Sequence, residues 1–224
     1  MITDLALLRL LQLVSPGLPI GMYSYSQGLE CAVDEAWVSS ATDAGEWIEG
    51  VLENCVVRVD LPVLARIYDA WVQNDRTAAE NWSATLLALR ETSELRTEDR
   101  QTGQALASLL SAMDMDEARY WQRNANTTLA LMFAFAAVRW SIPRPAALEG
   151  FLWSWLENQV LAAVKLVPLG QVAGQRLLHE LAAKIPGLVA QGLQLNDDEI
   201  GGSVFALALS SSRHEMQYSR LFRS

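Results

Sequence analysis

The chain has 224 residues, 51% of them hydrophobic and 19% charged, with a formal net charge of −9. This balance excludes intrinsic disorder, and the surplus of acid excludes binding driven by neutralising nucleic-acid phosphates. Two cysteines, Cys31 and Cys55, are too few for a disulfide framework.

The texture is helical from end to end, because Ala and Leu dominate and no stretch alternates β-branched residues. Asp4–Val14 reads as a short apolar helix, broken at Ser15-Pro-Gly-Leu-Pro19. Ser24–Ala36 can form a second. Asp43 followed by Glu46 has capping-box spacing for a third, running to about Val59. Asp60 then reads as the cap of a helix with Pro62 in its first turn, extending to about Asn74.

From Asp75 to Met113 the pattern changes. Leu86, Leu87 and Leu89 lie on one side of Arg90–Arg100, and Leu106, Leu109 and Leu110 on the other. Leu95 is the only large apolar residue between, so this polar stretch reads as a helix that reaches solvent or meets a partner. Asn126–Trp140 is apolar, but its richest run, Leu129–Val138, is about half a membrane span and is closed by Arg139. Ala146–Val167 is apolar on nearly every face and belongs in the middle of a bundle. Gln171–Lys184 ends at Pro186-Gly187. A last helix is expected to start at Asn196, with Asp197, Asp198 and Glu199 matching its dipole. No linker or repeat interrupts the series. The expectation is one all-α domain over 1–224, a single-domain bundle of about eight to ten helices, with 210–224 a mobile partner-binding tail.

Charge is unevenly placed. Residues 1–112 hold seven basic and sixteen acidic side chains, whereas the second half holds ten of each. There is no basic leader followed by an apolar run, so a soluble cytoplasmic protein is expected. The all-α alternative of a transcriptional regulator fits this charge poorly, since no basic recognition helix occurs.

A search for chemistry returns little. There is no P-loop and no Gly-x-Ser-x-Gly elbow. His179 and His214 are the whole imidazole inventory, neither in a metal-binding spacing, and the cysteines are not a Cys-x-x-Cys pair. Neither a catalytic residue, a cofactor nor a dedicated metal site is expected. Four segments instead carry more specificity than loops need: Leu18–Glu30, Leu89–Asp99, Ala163–Gln171 and Ser210–Ser224. The last is net positive on an acidic chain and keeps Met216, Tyr218, Leu221 and Phe222, which are anchor-type side chains.

These segments resemble the UreF family of urease accessory proteins. The resemblance rests on Leu-Pro-Ile-Gly-x-Tyr-Ser-Tyr-Ser-Gln-Gly-Leu-Glu (18–30), Leu-Arg-Glu-Thr-Ser-Glu-Leu-Arg (89–96), Val-Lys-Leu-Val-Pro-Leu-Gly-Gln (164–171) and Ser-Ser-Arg-His-Glu-x-Gln-Tyr-Ser-Arg-Leu-Phe-Arg (211–223). One departure is Gly21-Met22-Tyr23, where the family often has Gly-Gly-Phe.

The resemblance implies a homodimeric adaptor that joins UreD (also called UreH) to the GTPase UreG on the urease apoprotein during nickel insertion. It implies a UreD side built from Arg213, His214, Gln217, Tyr218, Arg220, Leu221 and Phe222. It implies a UreG side with Lys165, Arg90, Glu94 and Arg96, and a motif or dimer element of Tyr23, Ser24, Tyr25, Ser26 and Glu30. An alternative role is activation of UreG by an arginine such as Arg90, Arg96 or Arg100.

Overall fold

Side-chain caps set where five of the described helices begin. In the computed structural model, which describes residues 2–224, Thr3 Oγ1 accepts from the Ala6 amide to start α1 (Asp4–Leu13). A tight turn at 22–24 leads to α2 (Leu29–Asp34). A full capping box between Ser40 and Asp43 opens α3 (Ala41–Val51), three residues upstream of the Asp43–Glu46 box expected.

α3 does not stop. It passes through a π-helical stretch, Leu52–Asp60, straight into α4 (Leu61–Val72). The Leu61 amide reaches back five residues to the Val56 carbonyl, so the turn is widened just where Pro62 can donate nothing. Asp60 is therefore helical (φ −64°, ψ −48°) and caps nothing, contrary to expectation. Its carboxylate is committed elsewhere.

Asp75, Thr92 and Thr128 cap α5 (Arg76–Ala88), α6 (Ser93–Ala112) and α7 (Leu129–Arg139). A 3-10 turn at Asp116–Gln122 joins the last two, and α8 (Arg144–Leu166) follows. Pro186 does not break the chain after α9 (Gln171–Ala182). It occupies the first turn of a further helix, α10 (Ile185–Gly192), where its missing N–H costs no bond. Asn196 and Glu199 do form a capping box, but only a single 3-10 turn comes of it. The last helix, α11 (Phe205–His214), starts after an extended stretch at 201–204.

With α3 to α4 taken as one rod, ten helical bodies make up an all-α fold, and no strand occurs among the described residues. The core lies between α4, α6, α7 and α8. Trp71 on α4 meets Trp121 and Phe135 edge-on, with ring centroids 5.8 and 5.2 Å apart. Every residue of α7 from Ala130 to Ala137 is buried. α8 is buried or half-buried along its length apart from Pro145, Glu149 and Lys165, as its apolar pattern demands. Among the described residues no helix is long and apolar enough to cross a membrane. At one end of the bundle the turn before α2, the start of α6, and α11 with the residues after it converge.

Candidate functional site

The convergence is built on a tight backbone. Gln27 and Gly28 both have positive φ, 52° and 78°. A Cβ on residue 28 would collide with the Ser210 hydroxyl, so α2 and α11 can touch only because glycine stands there. Gln27 spends its whole amide on two helices: Nε2 donates to Glu98 Oε1 at 2.8 Å, and Oε1 accepts from Trp155 Nε1 at 2.8 Å. Tyr25 donates through its hydroxyl to Gln101 Oε1 at 2.7 Å.

Residues 221–224 dock along this turn. The Arg223 amide donates to the Ser24 carbonyl at 2.7 Å, and the Ser26 amide donates to the Ser224 main-chain oxygen at 2.9 Å. Ser26 Oγ donates to the same Ser224 oxygen, and Ser224 Oγ donates to Glu98 Oε2 at 3.0 Å. Glu30 holds the strand-like approach from the other side. Its two oxygens accept the Leu221 and Phe222 amides at 2.6 and 2.8 Å. Phe222 and Ser224 are buried as a result.

His214, the last residue of α11, is fully buried between two carboxylates. Its Nδ1 lies 2.8 Å from Glu94 Oε2 and its Nε2 lies 3.3 Å from Glu30 Oε2. Arg220 completes the cluster, donating to Glu94 Oε1 at 2.9 Å. Thr92 and Ser211 hydroxyls meet at 2.8 Å and tie the cap of α6 to α11.

A second polar cluster lies deeper. Arg90 donates to Asp60 through both terminal nitrogens and through Nε to Asp99 Oδ2 at 2.6 Å. Burial works against the Arg90 charge, and the two carboxylates outweigh it, holding the guanidinium well above its ordinary pKa. Burial pushes the Asp99 carboxyl up in spite of Arg90. Glu98, next along α6, is pushed up to about 7, chiefly by burial. Two adjoining cavities share Gln27, Asp60, Arg90, Glu98, Asp99 and Trp155 in their walls. The half-buried thiol of Cys55 faces one of them, and burial with the nearby Asp60 charge pushes it up to about 12.

This placement corrects several expectations. Arg90 and Thr92 precede α6 rather than lying on a helix, and the polar stretch is not a solvated face. Glu98 and Asp99 are buried, Glu98 accepting from Gln27 and Ser224 and Asp99 from Arg90, and Thr102 is buried with its hydroxyl donating to the Glu98 carbonyl at 2.7 Å. Arg90 and Glu94 are therefore interior ligands of other side chains, and Arg96 donates to the Arg90 carbonyl at 2.6 Å. Of the four residues assigned to a UreG side, Lys165 alone is exposed.

The segment after residue 214 is not a helix and is not left without partners in its own chain. It turns at Arg213–Gln217 and folds back, because Phe222 and four backbone groups find partners in the bundle. Phe222 within it and His214 just before it face inward, whereas Met216, Tyr218 and Leu221 stand out to solvent at 87, 103 and 65% exposure. Arg213 is exposed over Trp37 and pairs with Glu35, and Gln217 is half-buried. In the motif element Tyr25, Ser26 and Glu30 are buried within the chain, Ser24 contributes its carbonyl, and Tyr23 is exposed. Among the described residues no group of three or more His, Cys, Asp or Glu side chains is placed to hold a metal ion.

Sequence reasoning missed the roles of Gln27, Asp60, Glu98, Asp99 and Ser224. Four of these lie inside the singled-out segments, so their neighbourhood was marked but not their work. Asp60 had no such mark, since its partner Arg90 is thirty positions away.

A family model described as UreF matches residues 38–182. The chain is 52% identical over 220 residues to the urease accessory protein UreF of Alkalilimnicola ehrlichii, covering 98% of this chain and 96% of that one. It is 48% identical to the protein of that name from Pseudomonas putida (strain W619), with 99% of each covered. A third relative of that name, from Teredinibacter turnerae, is 47% identical with 97 and 98% covered.

Proposed function

Because the chain belongs to the UreF family of urease accessory proteins, we propose that it is the adaptor joining UreD to the GTPase UreG on the urease apoprotein while nickel is installed. It acts in the cytoplasm and as a homodimer, and nickel is cargo of the assembly rather than a resident ion. The observation that carries this reading is the folded-back segment. Its backbone is fixed by Glu30, Ser24 and Ser26, so Met216, Tyr218 and Leu221 are presented outward at little further ordering cost. Exposed Arg213, Arg220 and Arg223 surround them, giving an aromatic and arginine surface of the composition that interfaces favour.

The UreD-facing surface is then Arg213, Gln217, Tyr218, Arg220 and Leu221, with His214 and Phe222 positioning it from beneath. Lys165 contributes to the UreG-facing side. Arg90 and Arg96 are engaged inside the chain, and Arg100 donates to the Ala125 carbonyl at 2.9 Å. An arginine supplied to the nucleotide of UreG would have to leave those partners, so gating of UreG is favoured over activation in trans. The test is co-expression with UreD and UreG followed by affinity purification. Tyr218→Ser with Leu221→Ser is expected to lose UreD while helicity and melting stay unchanged. Full retention of UreD by that folded variant sinks the proposal.

A further inference from the structure

Four acidic side chains on the described residues are buried: Glu30, Asp60, Glu98 and Asp99. Asp60 and Asp99 share Arg90, and Glu30 takes two backbone amides and the ring of His214. Glu98 differs from them all. Its two oxygens accept one neutral donor each, the Gln27 amide and the Ser224 hydroxyl, and no cation contacts it. A buried carboxylate without a cationic partner is costly in its ionised form. Both donors belong to the seam: Gln27 to the strained turn, Ser224 to the segment docked on that turn. The Ser224 hydroxyl can also turn to accept from a protonated carboxyl, so the neutral acid keeps its contacts.

We propose that Glu98 is a proton-operated latch for residues 221–224: protonated, it holds the segment docked, and ionised, it favours a state in which the segment lifts and water reaches the carboxylate. The device lies beyond the adaptor role and can be tested without any partner.

The groups around Glu98 set the sign. On its own helix Asp99 adds negative charge, and one turn away Glu94 is already engaged by His214 and Arg220. Asp60 and Arg90 face it across the cavity, and Arg90 is shared between two acids. From the docked segment Arg223 reaches towards Gln101, and from the turn comes the neutral Tyr25 phenol. Burial is the largest influence on Glu98, and it is pushed up to about 7 while docked. A group whose pKa is raised in the docked state stabilises that state fully below its ordinary value, and the stabilisation is lost as pH rises through the raised one. The docked form is thus favoured in mild acid. Release grows between about pH 5 and 7 and levels off above that, at most about tenfold per pH unit for one proton.

Amide hydrogen exchange on the full chain tests this, read as protection factors so that the intrinsic pH dependence of exchange is removed. From pH 5 to 8 the amides of Ser26, Leu221, Phe222 and Arg223 are expected to lose protection by ten- to a hundredfold and then level off, whereas those of α7 stay constant. In Glu98→Gln, which keeps both hydrogen bonds and cannot ionise, the profile is expected to be flat. A flat profile in the unmodified protein overturns the latch, even if the variant fails to fold. A loss that persists in Glu98→Gln assigns it to another group and overturns it too.

Discussion

The ammonium of Lys165, at the end of α8, lies 5.5 Å from the ring centroid of Phe222 in the folded-back segment. One residue proposed for the UreG side thus touches the element that presents the proposed UreD side. An exposed cation on an aromatic face contributes about 0.5–1 kcal/mol. Lys165→Ala is therefore expected to lower stability by no more than that in urea denaturation. A much larger loss of UreG in co-purification would place Lys165 at the partner surface, and equal retention would leave it a prop for Phe222.

Arg90 holds the interior acids together. Removing one partner of a buried ion pair leaves the others uncompensated and costs about 3–5 kcal/mol. Arg90→Ala is expected to lose that much in equilibrium denaturation and to lower urease activation through lost folded protein. Adding Asp60→Asn and Asp99→Asn is expected to recover part of the loss. If Arg90→Ala is as stable as the unmodified chain, the cluster is not structural.

Two glycines separate close approach from mere helix weakness. A Cβ at position 103 would collide with the Thr128 carbonyl, where α6 crosses the start of α7, and meet the Leu129 amide nitrogen at 2.8 Å. Gly103→Ala is expected to destabilise by about 1–3 kcal/mol. Gly50, inside α3, has nothing within 4 Å of that position. Gly50→Ala is expected to stabilise by about 0.5–1 kcal/mol through helix propensity. Thermal melts of the two variants should move in opposite directions.

The thiols give a pH prediction. Cys55 is held up to about 12, and burial also raises Cys31. At pH 8 only about one Cys55 in ten thousand is thiolate, the reactive form. Ellman's reagent is expected to titrate almost no thiol in the native protein within minutes, and both cysteines in guanidinium. Immediate reaction of both thiols in the native protein contradicts the placement of Cys55.

The apolar helices were legible because their signal is local. Leu129–Arg139 and Arg144–Leu166 announce themselves by composition and by the prolines between them. α10 was hidden because Pro186 reads as a stop when only the residues before it are considered. Asp60 reads as a cap because Pro62 follows, and nothing in the one-dimensional pattern signals that a widened turn lets the helix run on. At the site, the singled-out segments do meet, which the sequence could suggest only by their specificity. What it hides is which charges face inward. Arg90–Arg100 looks solvated because its partners Asp60, Gln27, His214 and Ser224 come from other parts of the chain. Pairings at that separation leave no periodic trace.

Ser26 and Ser224 are 198 positions apart, yet they share a hydrogen-bonded rung. Closing so long a loop is entropically demanding and gains nothing until the intervening helices have condensed. The rung therefore belongs to the final stage of folding. While the ribosome is still making the chain, the bundle can assemble from its first helices onward, but the seam must wait until residue 224 has emerged. A chain made only part-way to residue 224 thus cannot display Tyr218 and Leu221 in their docked arrangement, and the surface proposed for partners matures after the bundle.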